Sequence, residues 1–162
     1  MGRYYYGDIS GKFWFGVQAS NDADHFDGVH EKVEMYYYEC EGCGEETDKE
    51  DEKPDEPNYI CKCGCETWTL ETEGAEEVSY TFDESHVEFI GKTLNDLESK
   101  IPEFDITIDE DDDYSYSFSD EDWVKIQKLD KSVQELVARW CLGKQLESYL
   151  DTFDTCTFRC ER

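Results

Sequence analysis

Five of the eight cysteines fall in one short window, as Cys40, Cys43, Cys61, Cys63 and Cys65. They form a C-x-x-C-G turn, an acidic 17-residue loop and a C-x-C-G-C turn. This is the spacing of a zinc ribbon, in which two short knuckles each present two thiolates to one tetrahedral ion. Tyr38-Glu39-Cys40 and Tyr59-Ile60-Cys61 lead an aromatic strand into each knuckle, and Gly44 and Gly64 each follow a cysteine. Glycine suits those positions because the backbone must turn its amides inward toward sulfur. Three cysteines at alternate positions cannot all find disulfide partners among five, so metal is the better reading. Cys40, Cys43 and Cys61 supply three ligands, and the fourth is Cys63 or Cys65. Four thiolates close the coordination sphere and leave no water to activate. The expected cofactor is therefore one structural zinc ion.

The charge balance restricts what such a ribbon can touch. The 162 residues hold 42 Asp and Glu against 15 Lys and Arg, a net charge of −27. Zinc on four thiolates would take this to about −29. Residues 103 to 122 carry ten carboxylates and no Lys or Arg, residues 45 to 56 carry eight carboxylates and two lysines, and residues 63 to 91 hold no Lys or Arg. A surface of this sign repels phosphate, so direct nucleic-acid binding is disfavoured and a basic protein is the electrostatic complement. The acidic runs read first as a solubilising face, and second as a phosphate-like array that mimics nucleic acid. No signal peptide or membrane-spanning run is visible, and reduced thiols suit an intracellular protein.

A chain of this length suits one α+β domain, 1–162, with the ribbon inserted at residues 36–70. Tyr4-Tyr5-Tyr6 and Phe13-Trp14-Phe15 flank a glycine-bounded turn and predict an N-terminal hairpin. Asn21 to Gly28 reads as a polar loop, Lys32 to Glu39 as a strand, and Glu45 to Glu56 as a solvated tip. Thr67 to Leu70 and Val78 to Phe82 alternate as two strands around a glutamate-rich turn at Gly74. Val87, Ile90, Leu94, Leu97 and Ile101 repeat at helical spacing before Pro102, with Ser85 and Glu88 as a capping box or, in competition, a start at Thr93 with Asp96. Asp105 to Asp113 is an acidic connection with a short extended piece at Ile106 to Ile108. Ser119 with Asp122 caps a second helix, Ser132 with Glu135 a third, and Thr155 to Cys160 alternates as a final strand. The predicted architecture is an antiparallel, aromatic-rich sheet packed on two or three helices.

Other motifs are weaker. Cys141 sits on the apolar stripe of the last helix as a core residue, and Cys156 and Cys160 lack a metal-type partner pair. Asp22-Ala23-Asp24 and Asp27-Gly28 are fragments of a calcium loop or a D-x-D site, but Phe26 occupies a ligand position and no glutamate follows at the twelfth. No nucleophile elbow, H-E-x-x-H or phosphate-binding glycine loop is present, so no catalytic residue is nominated.

The ends of the chain carry a resemblance. Tyr4 to Gln18, with Asn21 to Phe26, then Ala138-Arg139, Leu142-Gly143-Lys144 and Cys156-x-Phe158-x-x-Glu161, resemble small acidic proteins of giant DNA viruses and large phages. The resemblance covers the ends only and implies a virus-infected cell or virion as the setting. It brings no catalytic residue with it. The leading expectation is a non-enzymatic, zinc-bearing acidic interaction module. A structural or packaged virion protein and a metal-dependent hydrolase or transferase stand as alternatives.

Overall fold

The computed structural model describes residues 4–12, 14, 17–18, 21–50 and 52–161, and for 74–76 the backbone alone. Its elements are β1 (Tyr4–Gly7), β2 (Gly11–Lys12), β3 (Val29–Cys40), β4 (Trp68–Asp83), α1 (Val87–Glu98), β5 (Ile106–Asp109), β6 (Ser115–Phe118), α2 (Asp120–Gln127), α3 (Lys131–Leu150) and β7 (Thr155–Glu161). One five-stranded sheet runs β2-β1-β7-β4-β3, and β5 and β6 form a separate antiparallel pair. The fold is α+β, with three α-helices. Its contacts divide the chain into two compact units, residues 1–31 with 78–162, and residues 32–77. The inserted unit is thus wider than 36–70 at both ends.

In the first unit the strands follow their alternation. Along β7, Cys156, Phe158 and Cys160 are buried while Thr155 and Thr157 are exposed. Phe158 lies 6.0 Å from Phe82 with rings nearly parallel, 5.8 Å from Tyr80 and edge-on to Tyr5 at 6.0 Å. Aromatic side chains therefore supply most of the sheet's contribution to the core, each burying far more area than an aliphatic one. Ile90, Leu94 and Leu97 of α1 and Val137, Cys141, Leu142 and Leu146 of α3 join the same core. The N-terminal hairpin pairs Tyr4 with Lys12 and Tyr5 with Gly11. Phe13 and Phe15, expected in its second strand, lie outside the described residues.

Several boundaries differ from expectation. The turn foreseen at Gly74 is absent, because β4 runs unbroken for 16 residues from Trp68 to Asp83. Asp83, rather than Ser85, caps the following helix: its carboxylate accepts from the Ser85 amide at 2.9 Å and its own amide donates to His86 Nδ1 at 3.1 Å. A single 3-10 turn, Glu84–His86, then leads into α1. Ser119 caps α2 as read, accepting from the Asp122 amide at 3.1 Å. The start of α3 is Asp130, two residues before Ser132, and its carbonyl accepts from Val133 and Gln134. Asn21 to Gly28 is not merely a polar loop, since Asp22–Phe26 forms a 3-10 turn that buries Ala23 and Phe26.

Asp105 to Asp113, expected as an acidic connection with a short extended piece, supplies the first strand and the tip of a hairpin completed by Ser115–Phe118. Ile106 pairs with Phe118 and Asp109 with Ser115. Its tip places Asp109, Glu110, Asp111, Asp112 and Asp113 in a row of exposed carboxylates. Asp113 and Tyr114 both take left-handed backbone, with φ of 47° and 52°.

Candidate metal centre

The second unit is built around its cysteines. β3 ends at Cys40, whose carbonyl accepts from the Gly44 amide at 2.8 Å and whose amide donates to the Glu45 carbonyl at 2.9 Å. Cys61 repeats the arrangement, accepting from Gly64 at 2.8 Å and donating to Cys65 at 2.9 Å. Gly44 and Gly64 hold φ of 72° and 89°, a conformation that a side chain would strain. Counted from the glycine, the two knuckles match: Cys43 and Cys63 each precede it, and Glu45 and Cys65 each follow it. The second knuckle is one residue shorter between its cysteines, which is why C-x-C-G-C looks irregular.

This register brings Cys63, and not Cys65, into the group. The sulfurs of Cys40, Cys43, Cys61 and Cys63 all lie within 4.8 Å of one another. Cys40 and Cys63 are 3.6 Å apart across the knuckles, as are Cys43 and Cys61. Cys65 is turned elsewhere, with its sulfur 3.1 Å from Thr67 Oγ1. None of the four is disulfide-bonded, and 3.6 Å is far longer than the ~2.05 Å of an S–S bond. Four converging sulfurs, two buried and two exposed, form a group that can hold one metal ion. In general, four thiolates fill a tetrahedral coordination sphere.

The electrostatics favour a cation. Burial resists charge on Cys40, but the amides of Gly42 and Cys43 and the Cys61 and Cys63 thiols outweigh it, lowering its pKa to about 6. For Cys61 the Cys63 amide favours the thiolate, yet burial, the Glu45 carboxylate and the neighbouring thiols prevail and raise the pKa. Cys63 also moves up, since Cys43, Cys40 and burial outweigh the Cys65 amide. A thiolate at Cys40 thus disfavours charge on Cys61 and Cys63, and a bound cation would offset that repulsion. Glu45 lies 3.2 Å from the Cys61 sulfur and 3.0 Å from Lys62 Nζ, and that ammonium, followed by Cys61, draws the Glu45 pKa down.

Around the sulfurs the unit has little core of its own. Tyr38 and Trp68 are the large buried side chains beside Cys40 and Cys61. Trp68 Nε1 donates to the Tyr59 carbonyl at 3.3 Å, and the Tyr59 ring meets Trp68 edge-on at 5.3 Å. The loop 45–56 is more than a solvated tip. It runs back along β3, with Thr47 and Glu50 hydrogen-bonded to Tyr38 and Tyr36 at 2.7 to 2.9 Å.

Gly42 was overlooked from sequence and its role is steric. A Cβ there would lie 2.8 Å from Cys65 Cβ and 3.1 Å from Cys63 Sγ, so the second knuckle approaches only because the side chain is absent. Gly42→Ala is expected to weaken metal binding by about tenfold or more. Co2+ titration against a competing chelator would check this, and unchanged affinity would remove Gly42 from the account.

The remaining candidates are otherwise engaged. Cys141, Cys156 and Cys160 belong to the first unit's core, and burial, followed by Asp24 and Asp22, pushes Cys160 up to about 12. Asp22 is buried and paired with Arg139 at 3.0 Å, and Asp24 accepts from the Tyr80 hydroxyl at 2.7 Å. Among the described residues, the four cysteines are the one group arranged to hold a metal. No helix among these residues is long and apolar enough to cross a membrane. No family model, curated protein or solved structure matches the chain.

Proposed function

We propose that the four-cysteine group holds one structural zinc ion, and that the chain is a non-enzymatic acidic module that docks a basic protein surface. The observation that carries the metal assignment is the sulfur geometry. Tetrahedral Zn–S bonds of 2.3 Å require sulfurs about 3.8 Å apart, and the two cross-knuckle separations are both 3.6 Å. Thiolates also select zinc over the hard cations that carboxylates prefer.

The docking role is supported by the charge. The exposed carboxylates of 109–113 sit at one hairpin tip, where their mutual repulsion finds no lysine or arginine between residues 103 and 122. Such a tip attracts a cationic surface at long range and repels nucleic-acid phosphate. We place the partner, on the resemblance of the chain ends alone, in a virus-infected cell or a virion.

Binding to an arginine- and lysine-rich probe peptide is expected to weaken at least tenfold between 50 and 200 mM salt. Combined Glu110→Gln, Asp111→Asn and Asp112→Asn substitution should flatten that dependence. Affinity that ignores salt, or tight binding to duplex DNA, would refute the docking role, and elemental analysis without one zinc per chain would refute the metal.

A further inference from the structure

The first unit contains a cavity of about 570 Å³ that neither the sulfur cluster nor the acidic tip uses. Its walls come from the β1–β2 hairpin, β6, α2 and the first turns of α3. The volume falls in the range of small-molecule sites. Four aromatic side chains, Trp14, Tyr116, Phe118 and Trp123, form the apolar part together with Ile126.

Their arrangement is specific. Trp14 and Trp123 meet at 87° with centroids 5.2 Å apart, while Phe118 lies nearly parallel to Trp123 at 6.3 Å. Trp14 Nε1 donates to the Tyr116 hydroxyl at 2.6 Å, which ties the two walls together. Burial raises the Tyr116 pKa far above its ordinary value, so the acceptor stays neutral. Trp14, Trp123 and Phe118 thus line one space with rings set both perpendicular and nearly parallel to one another, a surface that suits a further flat ring.

The charge of the lining selects among flat rings. The chain has 42 acidic residues in 162, yet none of the twelve described residues lining this cavity is acidic. Among the described residues Lys12 is the one charged side chain in the lining; it has no carboxylate partner among them, and its ammonium lies 5.6 Å from the Tyr4 ring. An aromatic cage for a quaternary ammonium would be expected to exclude a lysine and to welcome carboxylates. This lining has the opposite sign.

We propose that the cavity binds a planar aromatic small molecule bearing an anionic group, its ring against Trp123 and Trp14 and its anion on Lys12. The proposal does not depend on zinc or on the docking partner.

The test is NMR of the metal-loaded full chain, following the indole N–H signals during titration with naphthalene-2-sulfonate, uncharged 2-naphthol, a naphthyl trimethylammonium salt and methanesulfonate. The sulfonate is expected to shift the Trp14 and Trp123 signals saturably and to leave Trp68 in place. It should bind about fivefold more tightly than 2-naphthol, with the ammonium salt weaker still and methanesulfonate silent. Lys12→Gln, at an exposed strand position, should erase the sulfonate preference and leave 2-naphthol unchanged. Trp123→Ala should weaken both aromatic probes by about tenfold. Absence of saturable shifts at Trp14 and Trp123, tighter binding of the cation, or a preference that survives Lys12→Gln would each overturn the proposal.

Discussion

A Cys63→Ser chain is expected to purify without its ion and with residues 32–77 unfolded, whereas Cys65→Ser keeps both. The two thiols are two residues apart in a C-x-C-G-C run, so spacing alone would rank them equally. The fold does not: Cys63 Sγ is 3.6 Å from Cys40 Sγ, and Cys65 Sγ faces Thr67. The size of the effect follows from how little else holds the unit. Tyr38 and Trp68, each 7% exposed, are its principal buried side chains outside the ligands. Burial of a large apolar side chain stabilises by about 1.5–3 kcal/mol. Zinc on a small thiolate site contributes an apparent 10–16 kcal/mol or so. On the proposed zinc assignment, the ion would decide whether a segment this short folds at all. Elemental analysis with hydrogen exchange across residues 32–77 separates the variants. Loss of the ion from Cys65→Ser, or its full retention by Cys63→Ser, would reverse the ligand assignment.

The information that settles this was present in the sequence, in the dipeptides Cys43-Gly44 and Cys63-Gly64. Counting between cysteines hides it, because the knuckles differ in length there. Counting from the left-handed glycine aligns them. The missed turn at Gly74 has a different cause: Glu71-Thr72-Glu73-Gly74-Ala75-Glu76-Glu77 has no apolar alternation, so its strand character rests on backbone pairing, to which a residue pattern is blind. In the β5–β6 hairpin the alternation was visible, with Tyr114, Tyr116 and Phe118 two residues apart. The five carboxylates before it read as linker, and a hairpin whose turn carries that much like charge forms only with support from elsewhere. The helices were legible to within a few residues because their apolar stripes are long. The aromatic cavity was not legible, since one wall comes from residues 10–14 and the rest from residues 115–134, about a hundred positions away. Gln145 was passed over for a related reason, being a polar residue beside Leu146 whose partners lie 31 to 140 positions away.

Gln145→Leu is expected to destabilise the metal-loaded chain by about 3–6 kcal/mol, a large part of the ~5–15 kcal/mol that stabilises a whole domain. Gln145 is fully buried. Its amide nitrogen donates to the Ser10 carbonyl at 2.9 Å and the Tyr114 carbonyl at 2.7 Å, and its oxygen accepts from the Tyr5 hydroxyl at 2.7 Å. Leucine fits the space but answers none of these groups, and an unanswered buried partner costs more than the hydrogen bond contributed. Burial raises the Tyr5 pKa well above 10.0, so its hydroxyl cannot escape the loss by ionising. The same contacts anchor the acidic hairpin. Consecutive left-handed residues at Asp113 and Tyr114 are unfavourable by about 1–2 kcal/mol each, and the tip carries five adjacent carboxylates. Gln145 at the Tyr114 carbonyl and the Ser10 amide, 2.9 Å from the Asp113 carbonyl, hold that backbone in place. Denaturant unfolding of the variant should therefore show a lower midpoint, together with loss of amide protection in β5 and β6 ahead of α3. A Gln145→Leu chain as stable as the parent would mean that the hairpin tip stands without this network.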